Sequence, residues 1–302
     1  MFVGQLSFKE VTTLLSNTGL RVEMGPFNVC INTNHSSLSN HLYKLYKHYK
    51  LAQDEIAEFH VRVVSTRSIK APFSNQIGFL LDGYSPFSLF PPEQALVALE
   101  WGINLAIAVR VNHLLLLHAA VIEKNGHAIL FPAWPGSGKT TLCTVLVHRG
   151  YRLFSDEFGL MDPGQGRFLP IPRLMPLKNE SIRVIRDYLP EAILGHEISN
   201  TQKGTVAHVC PPKESIIRSG ETAKANWILF PKWIAGAALK LDPLSDSEAF
   251  LLLASNSFNY EILGEAGFQA ITHLIETCRC YKLVYSNFDD VLEAIDTLTR
   301  DA

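Results

Sequence analysis

The sequence predicts an α/β protein in which strands and helices alternate around a phosphate-binding loop, preceded by a small α+β unit. Three observations carry this. Residues 133–140 read Ala-Trp-Pro-Gly-Ser-Gly-Lys-Thr, which keeps the G-S-G-K-T end of the Walker A pattern and has Ala133 where the strict pattern has glycine. An apolar run precedes that loop, and Leu142, Val145 and Leu146 follow it at helical spacing, which is the strand–loop–helix setting the motif requires. Two acids, Asp156 and Glu157, then follow the next apolar run, Tyr151 to Ser155.

Along residues 1–92 the elements are short. Ser7-Phe8-Lys9-Glu10 is a capping box that starts a helix through Leu15. Strands are expected at Leu20 to Glu23 and Asn28 to Asn32 around Gly25-Pro26, and a helix over Ser37 to Tyr49, where Leu38, Leu42, Leu45 and Tyr46 recur at helical intervals. Further strands are expected at Phe59 to Val64 and Ile77 to Leu81. Pro91-Pro92 closes this unit and opens a long, mostly apolar, buried helix to Arg110, so the second unit is taken as 93–302. Next come a strand to Ile122, a turn at Asn125-Gly126, a strand to Phe131, the loop, a helix to Arg149 stopped by Gly150, and the strand that leads to the acids. Phe158 to Met161 and Arg167 to Ile171 read as a second hairpin around Asp162-Pro163-Gly164. The last third alternates strands (Trp227 to Phe230, Ala237 to Leu241, Lys282 to Tyr285) with helices (Glu248 to Ala254, Gly267 to Thr277, Asp289 to Leu298).

Composition excludes several classes. The 302 residues carry 27 Lys+Arg against 29 Asp+Glu, so no global positive field exists to hold a nucleic acid or an anionic membrane. The apolar stretch at residues 103–122 is broken by Asn104, Arg110, Asn112, His113 and His118 and reads as buried helix then strand, not as a membrane span. Five cysteines without C-x-x-C spacing favour neither a disulfide framework nor a zinc site, and no secretory signal is visible at the start of the chain, so a cytoplasmic location is expected.

The chemistry of the loop follows from its residue types. Gly136, Ser137 and Gly138 let successive amides turn onto phosphate oxygens, Lys139 neutralises phosphate charge, and the hydroxyl of Thr140 is available to Mg²⁺. Pro135 and Thr141 complete the expected ATP-contacting stretch. Lys139 and Asp156 are separated by one helix and one strand, so Asp156 and Glu157 are expected at the carboxyl end of that strand, the ligand-binding end of an open α/β sheet. If that strand lies beside the loop's own strand, the acids face the Mg²⁺ and γ-phosphate region. Either one could hold Mg²⁺ while the other takes a proton from an attacking hydroxyl or water. Asn125-Gly126 is a two-residue type I′ turn, so Lys124 pairs with His127 and the register places His118 opposite Ala133. A histidine there can serve the phosphate and the acids, or be a core residue.

With those residues in place, the stretch LLLLHAAVIEKNGHAILFPAWPGSGKTTLCTVLVHRGYRLFSDE, residues 114–157, resembles the catalytic core of HPr kinase/phosphorylase and looks closest to the proteins called HprK-related kinase A. Looser similarity runs through LEWGIN (99–104), PLKN (176–179), QKGTVAH (202–208) and FNYEILGEAGF (258–268). The resemblance implies a P-loop kinase core of the HPr-kinase C-terminal-domain and phosphoenolpyruvate-carboxykinase type, which uses ATP and Mg²⁺ to phosphorylate a hydroxyl, typically of serine. It implies Asp156 as base, with Glu157 at the metal where that family has a second aspartate. The signature loop of HPr kinase is not recognisable here, and HPr kinase is itself an oligomer.

Beyond the acids, Arg173 and Lys178 are the expected cations for the transferred phosphoryl group, and Lys203 beside Gly204 suits a mobile lid. Together these readings predict a kinase whose acceptor is a hydroxyl-bearing protein, peptide or small molecule. A nucleotide-sensing binding protein and a simple ATPase are the alternatives.

Overall fold

The computed structural model describes residues 1–302 apart from 54–55, 69–70, 135 and 301–302. The N-terminal elements are α1 (Phe8–Ser16), β1 (Leu20–Met24), β2 (Phe27–Thr33), α2 (Ser36–Leu45), β3 (Phe59–Ser68) and β4 (Ala71–Leu81), and the four strands form one sheet in that order. The capping box starts α1: Ser7 Oγ accepts from Glu10 N, and the Glu10 carboxylate accepts from Ser7 N. α3 (Ala95–Arg110) is apolar on most faces because it is covered on most of them, and it lies on β3 and β4. Gly102 allows this approach, since a Cβ there would sit 2.1 Å from the Phe79 ring. The boundary expected between residues 92 and 93 therefore falls just before a helix that packs on the N-terminal sheet, and one continuous core joins Val61, Phe79, Leu99 and Ile103 to Leu116, Leu160 and Leu174. Of the stretch at 103–122, the first part is α3 and the last belongs to a strand. No helix among the described residues is long and apolar enough to cross a membrane.

The remainder is built from β5 (Leu115–Lys124), β6 (His127–Pro132), α4 (Lys139–His148), β7 (Arg152–Ser155), β8 (Phe158–Asp162), β9 (Arg167–Leu169), β10 (Met175–Lys178), α5 (Glu180–Tyr188), β11 (Ile198–Thr201), β12 (Gly204–Val209), α6 (Lys213–Ile217), β13 (Ala223–Trp233), β14 (Lys240–Pro243), α7 (Asp246–Ser255), α8 (Tyr260–Leu263), α9 (Glu265–Thr277), β15 (Arg279–Tyr285) and α10 (Phe288–Arg300). The large mixed sheet runs β14-β15-β13-β6-β5-β8-β9, with β7 also on β5, and β9 meets the start of β13, so the sheet curls back on itself. Alternation along β5 sorts its side chains: Leu115, Leu117, Ala119 and Val121 enter the core under α7 and α9, while Ala120 and Ile122 enter the one under α4, α5 and α10. β10, β12 and β11 form a separate three-stranded sheet beside α4 and α5.

Two expectations about topology meet the structure differently. The hairpin register holds: Lys124 pairs with His127 and Ala119 with Pro132, through a turn with φ of 55° at Asn125 and 88° at Gly126. The acid-bearing strand, in contrast, does not lie beside the loop's strand. β7 and β6 both run antiparallel to β5, which separates them. Both faces of β5 are buried over most of its length, which suits a central position in the sheet.

Candidate functional site

The phosphate loop leaves β6 at Pro132 and enters α4 at Lys139. Gly136 and Gly138 take φ of 88° and 89°, in the left-handed region that glycine adopts without cost. A side chain at Gly138 would also meet Tyr285 Oη at 2.8 Å and Trp233 Cβ at 3.0 Å. The loop is braced on that flank: Trp233 N donates to Ser137 O at 3.0 Å and Tyr285 Oη to Gly138 O at 3.3 Å. Pro135 lies outside the described residues. Lys139 opens α4 with its side chain turned inward, 8% exposed, and among the described residues neither its ammonium nor Ser137 Oγ has a hydrogen-bond partner. Thr140 and Thr141 occupy the next two positions of the helix.

Asp156 and Glu157 follow the carboxyl end of β7, as expected, and fill the two-residue gap before β8. Ser155 pairs with Val121 and Phe158 with His118, while Arg152 and Leu153 of β7 are shifted by one residue on β5. Ser155 Oγ spans the gap by accepting from Glu157 N at 3.2 Å and Phe158 N at 2.9 Å. Asp156 is buried, and among the described residues neither of its carboxylate oxygens has a hydrogen-bond partner within 3.5 Å, with the Thr140 hydroxyl and the Cys143 thiol its nearby side-chain donors. Burial pushes its carboxyl up to about 6, against the pull of Lys139. For Glu157, burial acts upward, but the facing His118 and the charges of Lys139 and Lys178 outweigh it and hold the carboxyl below its ordinary range. Two adjacent acids thus receive different proton affinities from their surroundings.

His118 stands on β5 between the loop strand and the acid strand, with Nε2 3.7 Å from Glu157 Oε2. Its main-chain N donates to Asn256 O at 2.6 Å, and its ring meets the edge of Phe258 at 5.5 Å. Phe258 and Asn259, which donates to Leu114 O and accepts from Leu116 N, brace the start of β5 from the segment after α7. Residue chemistry alone did not single them out; the only signal was their position in the resembling segment FNYEILGEAGF.

The two expected cations fare differently. Arg173 is not free to act on a phosphoryl group: its guanidinium is held by Asn104 Oδ1, by Glu100 O at 2.9 Å and by Glu100 Oε2 at 2.6 Å, in an ion pair whose side chains are 10% and 5% exposed. A charge already matched inside the protein contributes little further field. Lys178, at the end of β10, acts on both Asp156 and Glu157 and has no ion-pair partner within 4.0 Å among the described residues. Lys203, in the β11–β12 turn, acts on Glu157 as well, and its ammonium lies 5.2 Å from the Trp101 ring centroid. His208, 1% exposed with both ring nitrogens unpartnered, completes the polar set.

The residues fit a nucleotide and Mg²⁺. The loop offers the positive-φ glycines that phosphate binding asks for, and Lys139 offers a buried ammonium that faces the two acids and has no hydrogen-bond partner among the described residues. No cluster of three or more His, Cys, Asp or Glu side chains arranged to hold a metal occurs among the described residues. Mg²⁺ does not need one, since it keeps waters and substrate phosphates and takes one or two carboxylates.

No protein-family model matches the chain, and no curated protein matches it. Among solved structures it is similar to the HPr(Ser) kinase/phosphatase from Coxiella burnetii, at 11% identity over 62% of this chain and 94% of that one, with a TM-score of 0.27. A likeness that low carries nothing beyond itself, and the functional reading rests on the site.

Proposed function

We propose that the protein is an ATP-dependent kinase that transfers the γ-phosphoryl group to a hydroxyl. The observation that carries this reading is the meeting, in one buried place, of an unpartnered ammonium at Lys139 and an unpartnered carboxylate at Asp156, next to a loop shaped for phosphate. Leaving such groups unmatched costs stability, so the site is arranged for a ligand that matches them.

In this reading the amides of Gly136, Ser137 and Gly138 and the ammonium of Lys139 bind and orient the phosphates. Thr140 and Glu157 hold Mg²⁺, which supplies charge neutralisation on the phosphoryl oxygens. Asp156, with proton affinity raised towards neutrality, accepts the acceptor's hydroxyl proton as the oxygen–phosphorus bond forms and the bond to the bridging oxygen breaks, leaving ADP. His118 positions Glu157 and helps to keep it ionised. Lys178 stabilises charge on the moving group, a role from which Arg173 is withdrawn by Glu100.

The test is transfer of label from γ-labelled ATP, read beside nucleotide affinity. Asp156→Asn is expected to lose about 10²–10⁴-fold in transfer while still binding ATP, and Lys139→Ala to lose ATP binding itself. Wild-type transfer by a folded Asp156→Asn protein would refute the reading.

A further inference from the structure

A cavity of about 60 Å³ lies beneath the acid pair, with room for roughly four to six water-sized groups. Elements distant in sequence wall it: Asp156 from the break between β7 and β8, Lys178 from β10, Lys203 from the β11–β12 turn, His208 from β12 and Trp101 from α3. Glu100, Asn104 and Arg173 on its wall are paired with one another, and Glu157 faces His118, but other polar groups of the wall lack hydrogen-bond partners among the described residues. Both oxygens of Asp156 and both ring nitrogens of His208 are buried without hydrogen bonds. Lys178 and Lys203 have no carboxylate within 4.0 Å among the described residues. The two ammoniums also repel each other: burial and then the charge of Lys178 lower the pKa of Lys203.

An occupant that satisfies these groups has a hydroxyl for Asp156, an anion for the two lysines, and few other atoms. A serine presented on the surface of a folded protein supplies the first without the second. We propose, resting on the kinase reading above, that this cavity is the acceptor pocket and that it takes a small hydroxy carboxylic acid, hydroxyl towards Asp156 and carboxylate between Lys178 and Lys203, with His208 bonding a remaining polar atom. α3, which packs on the N-terminal sheet, then contributes directly to the substrate site through Trp101.

The experiment is calorimetric titration of glycolate, lactate and glycerate into the full-length protein, with glycerol as the uncharged control. At least one acid is expected to bind one-to-one, and Lys203→Met to weaken it tenfold or more while leaving Mg-ATP affinity unchanged. His208→Gln is expected to do the same; because that site is buried, the exposed Lys203 variant carries the test if His208→Gln fails to fold. The proposal is overturned if none of the acids binds with Kd below about 10 mM, if glycerol binds as well as they do, or if Lys203→Met changes nothing. Failure of the kinase reading is read separately: acid binding with no label moving from γ-labelled ATP removes the transfer step and leaves the pocket standing.

Discussion

Asp156 and His208 are both buried and both unpartnered, and their titrations oppose each other. Asp156 is raised from 3.8 to about 6, so its ionised form is penalised in the folded state; that penalty is complete above about pH 6 and gone below the unfolded value. Without Mg²⁺, Asp156→Asn is therefore expected to be more stable than the wild type at about pH 8, by up to roughly 3 kcal/mol, with the gain fading as pH falls towards 4. His208 is lowered by burial to about 4, so the folded protein resists its proton. Its contribution is fully present above the ordinary histidine value and is lost as pH falls from there to about 4, again roughly 3 kcal/mol. His208→Gln should flatten that acid limb. Urea denaturation at a series of pH values checks both, and slopes of the opposite sign would contradict the burial of these groups. The candidacy of Asp156 was legible because a carboxylate after an apolar run, one helix beyond the lysine of a Walker-like loop, has few structural uses. His208 was not, because nothing local distinguishes a histidine that meets a cavity from one that meets solvent.

At the scale of elements, the loop and α3 make sharper tests than any strand. Gly138→Ala places a side chain at positive φ against Tyr285 and Trp233, so it strains the loop from β13 and β15 as well as from within. ATP affinity is expected to fall at least tenfold with little change in folding, measured by nucleotide titration and thermal melting. Gly102→Ala acts far from the loop, where its methyl meets the Phe79 ring and pushes α3 off its sheet. Overpacking of this kind costs about 1–3 kcal/mol, and because Glu100, Trp101 and Asn104 ride on α3, activity should fall along with stability. The hairpin of β5 and β6 was readable from Asn125-Gly126, since a two-residue turn sets every pair that follows it. The insertion of β5 between β6 and β7 was not, because strand order is decided by which faces find cover, not by distance along the chain.

For the whole molecule, the reading predicts linkage between nucleotide and stability. A ligand that binds only the folded state stabilises it by about 2.7 kcal/mol at a hundred times its Kd. Mg-ATP should accordingly raise the melting temperature of the wild type and fail to do so for Lys139→Ala; equal shifts in the two proteins would place the nucleotide elsewhere. The N-terminal unit should melt together with the rest, because its core continues through α3 into Leu116, Leu160 and Leu174.

What the sequence determined by itself was local: the glycine-bearing loop between its strand and helix, the capped first helix, the register of the hairpin that carries His118, and the acids one helix and one strand further on. Each depends on residues near one another in the chain, where backbone conformation and hydrogen-bond geometry leave few alternatives. Only the tertiary structure decided that β5 lies between the loop's strand and the strand that ends at the acids, that Glu100 on α3 claims Arg173, and that Lys178, Lys203 and His208 line one cavity with Asp156. Those outcomes come from long-range packing, where a charge goes to whichever partner the buried surfaces bring against it.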